Sequence, residues 1–365
     1  MVCGYELMQT PIDPVLDFME QRVPTSEARP LCMLPALVVT SIILSTVGAS
    51  PVAAPSAEAA RIAYAASHDR NWDVYVVGDD GVGATRLTTR PEQERFPLWS
   101  ADGRRIAYGM QTTSGWELWV MDADGGNARR LFAGIAAKGH RQWSPDGSRL
   151  VFEGGGRDDH DVYTIRHDGT GLLRLTTARG DDSNPTWSPD GTRIAFSSMR
   201  DGNLELYVVR AEGGGETRLT RDGGDDGSPA WSPDGSSIAF LSTRDGGRDV
   251  YRMRPDGGGT ERLTVGAGAT KDVPAWSPDG TRLAFHAARG RDYDIEVIRV
   301  ADRTRTRVAP TSAYEGLYAW SPDGRRMAFI SGRDSLDAVY VADADGSHVR
   351  RLSNEPSLNP MWKPR

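Results

Sequence analysis

Charged and polar side chains recur at fixed distances ahead of seven tryptophans. Five residues before Trp99, Trp143, Trp187, Trp231, Trp276, Trp320 and Trp362 stand Glu94, Lys138, Asp182, Asp226, Lys271, Glu315 and Ser357, and Asp181, Asp225 and Asp272 adjoin them. Three residues before the same tryptophans stand Phe96, His140, Asn184, Ser228, Val273, Leu317 and Asn359. Two residues before, five repeats carry Pro, whereas Arg141 and Tyr318 break the pattern. Positions that vary between otherwise similar units are where a scaffold places recognition. Arg and Tyr are favoured at binding hot spots because each combines contact area with polar reach. The expected ligand-binding set is therefore Glu94, Lys138, His140, Arg141, Asp182, Asp226, Asp272, Glu315 and Tyr318. A competing expectation pairs these acids with Arg200, Arg244, Arg289 and Arg333, as ordinary ion pairs. Because Pro fills the Arg141 and Tyr318 positions elsewhere, Pro is expected to be tolerated at both.

Other chemistry-bearing residues read as framework. The string WSPDG opens at Trp143, Trp187, Trp231, Trp276 and Trp320, and WSADG opens at Trp99. A Ser and an Asp repeated in successive units form turns, not a reaction centre. Asp122-Ala123-Asp124-Gly125 and Asp343-Ala344-Asp345-Gly346 echo a calcium loop but lack its further acids and its closing Glu. The six histidines, His68, His140, His160, His167, His286 and His348, show no metal-ligand spacing, although four of them fall toward one end of the repeats. No GxSxG nucleophile motif is present. The sequence thus assigns no catalytic residue, no metal ligand and no cofactor.

What must position these residues is a β repeat. The tryptophans are spaced by 44, 44, 44, 45, 44 and 42 residues. Within one unit, Pro185 to Trp187, RIAFS from Arg193, ELYVV from Glu205 and TRLT from Thr217 read as four short strands. Asp190-Gly191, Asp201-Gly202 and the glycines after Ala211 mark the turns between them. Four strands every 40-odd residues is the signature of a propeller. The third strands are apolar on both faces, as sheets buried on both sides must be. One face carries an aromatic residue at Tyr75, Trp119, Tyr163, Tyr207, Tyr251 and Tyr340; Glu296 is the exception, so its blade is expected to pack less well. Arginines 86, 130, 174, 218, 262, 307 and 351 fall on the outermost strands, where charge discourages edge pairing. The expected fold is all-β, a single β-propeller of seven four-stranded blades over residues 61–365. The first repeat lacks an inner strand, and Asn359 to Trp362 is expected to supply it and close the ring.

Residues 1–60 read as a targeting segment and linker. The run at 31–49 is apolar and uncharged, follows Arg29, and ends in Val47-Gly48-Ala49. That pattern fits a cleaved secretory signal, with an uncleaved anchor as the alternative. Residues 1–28 carry five acids against Arg22, so the translation start is expected to lie downstream. Both cysteines, Cys3 and Cys32, precede the repeats. The net charge of −7 gives no basic footprint for nucleic acid.

The strings WSPDGTRIAFSSMRDG (from Trp187) and DVYRMRPDGGGTERLT (from Asp249) resemble the repeats of the TolB family of periplasmic propellers. They are also similar to the propellers of tricorn-like and prolyl-oligopeptidase-like enzymes. The resemblance covers residues 61–365 and implies a propeller outside the cytoplasm. It departs from TolB in counting seven blades where the family ring is similar to a six-bladed one. Together these readings give a periplasmic or secreted, monomeric interaction module that binds a protein, peptide or glycan at one mouth of its ring. The alternatives are a metal-dependent lyase or hydrolase acting on an acidic saccharide, and a sensor tethered through residues 31–49.

Overall fold

The computed structural model describes residues 60–136, 139–156, 159–266, 273–289 and 292–364. The targeting segment expected at 1–59 therefore lies outside the described residues, as do Lys138 and Asp272.

The chain forms seven four-stranded antiparallel sheets. Each sheet is one repeat, as in Asp182–Trp187, Arg193–Ser198, Glu205–Arg210 and Thr217–Arg218. The β-branched and aromatic residues of the second and third strands fill the space between sheets. One cluster joins Val151 and Val162 of the Trp143 blade to Trp187, Phe196, Tyr207 and Val209 of the next. Burial on both faces of every sheet is what makes a ring of such sheets stable. The tryptophans also link blades by hydrogen bonds. The indoles of Trp143, Trp276 and Trp320 donate to the carbonyls of Leu98, Ala230 and Ala275 in the preceding blade, each at 3.0 Å.

The ring closes as the sequence implies. Ser357–Trp362 pairs antiparallel with Arg61–His68, with Ile62 opposite Trp362 and Ala66 opposite Ser357. Lys363 N–H adds a bond to the carbonyl of Arg61 at 2.7 Å, and its ammonium lies 5.6 Å above the Trp99 ring.

WSPDG is a self-contained turn. Ser144 Oγ donates to Asp146 Oδ1 at 2.5 Å and accepts from Arg149 N–H at 2.9 Å, while Gly147 sits at φ 67°. The same bonds recur at Ser188 and Asp190, Ser232 and Asp234, and Ser277 and Asp279. The Asp-Ala-Asp-Gly segments serve turns too: Asp124 Oδ1 accepts from Gly126 N–H and Asp345 Oδ1 from Ser347 N–H, both at 2.9 Å.

The outer-strand arginines do more than guard an edge. Arg86, Arg174, Arg218 and Arg262 reach Asp73, Asp161, Glu205 and Asp249 at 2.5–2.8 Å. Each of these carboxylates is buried near the start of a third strand. A buried charge is costly unless it is paired and hydrogen-bonded, and the fourth strand brings the partner. Glu296, the odd residue on the aromatic face, is also buried, with Arg305 Nη1 at 3.8 Å and Phe285 opposite it in the sheet.

Candidate functional site

The innermost strand of most blades carries a bulge. In the Trp187 blade, Trp187 and Thr186 pair with Ile194 and Ala195, but Ser183 and Asp182 pair with Ser197 and Ser198. Asn184 and Pro185 thus share one partner position, and Asn184 adopts φ 52°. The same shift and a left-handed residue occur at Phe96, Ser228 and Leu317 (φ 59°, 56° and 46°). An extra residue reverses which face every upstream side chain takes.

That reversal decides where the expected site residues go. Trp187 and Pro185 are buried, Thr186 and Asn184 are half-buried, and beyond the bulge Asp182 turns inward. Glu94, Asp182, Asp226 and Glu315 are each 0% exposed. They lie inside the blades and not on the rim where simple alternation puts them. Arg200 Nη2 meets Asp182 Oδ2 at 2.9 Å, Arg244 Nη2 meets Asp226 Oδ2 at 2.7 Å, and Arg333 Nη2 meets Glu315 Oε1 at 2.5 Å. Each guanidinium also bonds a serine (Ser198, Ser242, Ser331) and lies over a Phe and a Tyr of its own blade. Burial still outweighs the paired charge. Asp182 is raised above the usual carboxylate range, Asp226 to about 6 and Glu315 to about 8.

Glu94 is the unpaired member. Where the other three blades place Ser-x-Arg, its blade has Met110-Gln111-Thr112. Neither carboxylate oxygen of Glu94 has a hydrogen-bond partner. Burial pushes its carboxyl up to about 8, and the nearby Asp73 adds to the shift.

Arg141 and Tyr318 both reach back to the preceding blade. Tyr318 lies within a bulge, as Pro97, Pro185, Pro229 and Pro360 do, and its hydroxyl is 3.1 Å from the Ala284 carbonyl. Its ring meets His286 edge-on at 4.9 Å. Arg141 is different: it pairs in regular register with Phe152 and has no bulge. Proline at 141 would interrupt a ladder, so the expectation that both positions accept Pro holds for the geometry of Tyr318 but not for that of Arg141. The guanidinium of Arg141 lies 5.2 Å over the Phe96 ring, and Phe96 packs on Trp116 at 5.5 Å. Gly109 makes this fit, because a Cβ there would stand 3.1 Å from Arg141 Nη1. Burial lowers the Arg141 guanidinium to about 10.

A residue missed in the sequence reading organises this corner. Glu153 Oε1 accepts His140 N–H at 3.1 Å and Asn184 N–H at 2.6 Å. Ser197 does the same for Ser228 N–H at 3.0 Å. Glu153 and Ser197 hold the same place in consecutive second strands, after Val-Phe and Ala-Phe, and a polar residue there is the sequence signal. Burial raises Glu153 to about 7. His140 is exposed, and Asn184 is half-buried beside it. His160 pairs with Asp181 at 3.3 Å, His286 is buried, and His68 lies 3.4 Å from Asp69. Among the described residues no three His, Cys, Asp or Glu side chains are grouped so as to hold a metal. The mouth formed by the WSPDG turns has a cavity of about 280 Å³ lined by repeated residues, among them Trp99, Trp143, Trp187, Pro145 and Pro189.

Comparison with known proteins places this geometry. A family model described as TolB beta propeller domain matches residues 175–272 and 266–365. No curated protein matches the chain. TolB from Acinetobacter baumannii is similar at 20% identity over 84% of this chain and 67% of its own, with a TM-score of 0.56. An oligogalacturonate lyase in complex with manganese is 16% identical over 78% of this chain and 85% of its own, with a TM-score of 0.65. A puromycin-hydrolyzing peptidase from Mycobacterium tuberculosis is 17% identical over 80% of this chain but only 53% of its own, with a TM-score of 0.62. At these identities the likeness is one of fold, and the fold hosts unlike functions.

Proposed function

Taking as premise that the chain belongs to the TolB beta propeller domain family, we propose that it is an extracytoplasmic binding module. Its ring recognises a protein, peptide or glycan and performs no chemistry of its own. The contact surface is the mouth where the inner strands begin. His140, Arg141 and Asn184 are its described contact groups; Lys138 and Asp272, expected from the sequence in the same set, lie outside the described residues. The buried Glu94, Asp182, Asp226 and Glu315 act one layer back, holding the strands that present the mouth.

One observation carries this reading. The blades repeat the same Ser–Asp turn on one face, but at the inner strand Arg141 and Tyr318 replace Pro and are met by Gly109 and His286 in the neighbouring blade. Departures from a repeat that are accommodated in the adjoining unit are suited to specificity, whereas uniform turns are not. The segment at 31–49 supports export, and a ring whose first blade is completed by its own last strand suits a protein acting as a single chain.

The experiment is capture of partners from an exported-protein fraction with the tagged chain, repeated with a His140→Ala, Asn184→Ala double variant. Loss of the captured partner supports the mouth. Retention in the variant, with loss when Pro145 and Pro189 are replaced by Glu, transfers the function to the opposite face.

A further inference from the structure

The Arg141 side chain makes no hydrogen bond to any described residue. Its Nη1 is buried without a partner, and the side chain as a whole is half-buried between the Trp99 and Trp143 blades. Its neighbour Glu153 spends Oε1 on two backbone N–H groups, those of His140 and Asn184. The other inner-strand arginine, Arg95, is engaged by Gln93 at 2.6 Å and by the Trp72 ring at 4.8 Å. The fold thus leaves Nη1 of Arg141 without a hydrogen-bond acceptor, the Glu153 carboxylate acting on the guanidinium through its charge alone, and the absence of a side chain at Gly109 keeps the space for it.

An unmatched buried donor is costly, and the group that best matches a guanidinium is a carboxylate, which accepts two parallel bonds. We infer that Arg141 is the anchor for a single carboxylate, the free C-terminus of a peptide lying in the mouth. This rests on the binding reading above and names its ligand. Two observations favour a peptide end over an acidic saccharide. A polyuronate presents a carboxylate on every sugar, whereas the described inner strands hold one unengaged arginine. Ahead of Trp276, Trp320 and Trp362 the half-exposed residues Val273, Ala275, Leu317, Ala319 and Met361 are aliphatic, whereas Asn184, Thr186, Ser228 and Asn359 at the matching positions are polar; the aliphatic side suits peptide side chains better than hydroxyl groups.

The test uses the full chain and an equimolar hexapeptide library with free C-termini, read by retention and mass spectrometry. The same library with amidated C-termini and a trigalacturonate form the other arms. Free-acid peptides should be retained, and affinity for the best of them should fall at least about tenfold on amidation or in Arg141→Gln. Arg141→Lys, which keeps the charge but not the fork, should recover part of it. Equal retention of both libraries overturns the carboxylate anchor and leaves the mouth as a binding surface. Retention of trigalacturonate alone overturns the peptide. Retention of neither overturns this inference, while partner capture judges the mouth separately. The amidated arm uses the unaltered protein, so a misfolded variant cannot decide the outcome.

Discussion

Glu153 Oε1 lies 2.6 Å from the backbone nitrogen of Asn184, so the carboxylate of one blade caps the left-handed bulge residue of the next. Glu153→Ala leaves two N–H groups, the part-buried one of Asn184 among them, without their acceptor and should cost about 1–3 kcal/mol in all. Glu153→Gln keeps an acceptor and should cost far less. Chemical denaturation of the two variants separates these outcomes, and equal losses would mean that the charge, not the acceptor, matters.

Removing the cation from a buried pair should be worse than removing both charges. Arg200→Met strands Asp182, which is 0% exposed, and should destabilise the fold by about 3–5 kcal/mol. Adding Asp182→Asn to that variant should restore much of the loss. A double variant no more stable than Arg200→Met would show that the arginine acts through its packing on Phe196 and Tyr207.

Glu94 predicts a loss of stability toward alkaline pH. Its folded carboxyl is raised to about 8, from an ordinary value of 4.5. The unfolded chain therefore gives up this proton first, and stability is full below about pH 4.5 and declines as pH rises to about 8. Thermal melts at pH 5 and pH 8.5 should show that Glu94→Gln gains relative to the unaltered protein only at the higher pH. An identical difference at both values would mean that Glu94 is ionised in the fold.

The turn aspartates predict the opposite limb. Hydrogen bonds from serine and backbone hold Asp146, Asp190 and Asp234 below the usual carboxylate range. Their contribution is present above the ordinary value and is lost as pH falls through the folded one. Asp190→Asn should therefore reduce stability at pH 6 and have little effect near pH 2, where the native carboxyl is also losing its charge.

Deleting Asn359 to Arg365 should leave the Ile62 blade with an open inner edge. Unfolding should lose cooperativity and the product should self-associate, which sedimentation would detect. A monomer that unfolds like the intact chain would refute the closure.

The fold was legible because tryptophan spacing, Asp-Gly turns and two-faced apolar strands repeat with so little variation that the blades can be counted. Closure was legible from an orphan first strand at one end and an orphan second strand at the other. The fate of Asp182 and Glu315 was not. It depends on a one-residue bulge at Asn184 and Leu317, and neither Asn nor Leu announces a left-handed backbone as Gly would. The pairing of those acids with Arg200 and Arg333 could be anticipated from the shared Ser-x-Arg string, but its depth could not. Arg141 stood out only as a missing proline. Its setting depends on Gly109, 32 residues earlier, whose meaning appears only when the blades lie side by side.

Ile62 meets Trp362 across 300 residues of chain. During synthesis, the strand at Arg61–His68 emerges early and its partner at Ser357–Trp362 comes late. For that whole interval the first blade exists as a three-stranded sheet with a lateral seam of unmatched amides. Bringing such distant segments together carries the slow kinetics of high contact order. The danger period of this protein is thus set by the time its last strand takes to arrive, and a factor that shields the early strand would act on yield without changing the finished ring.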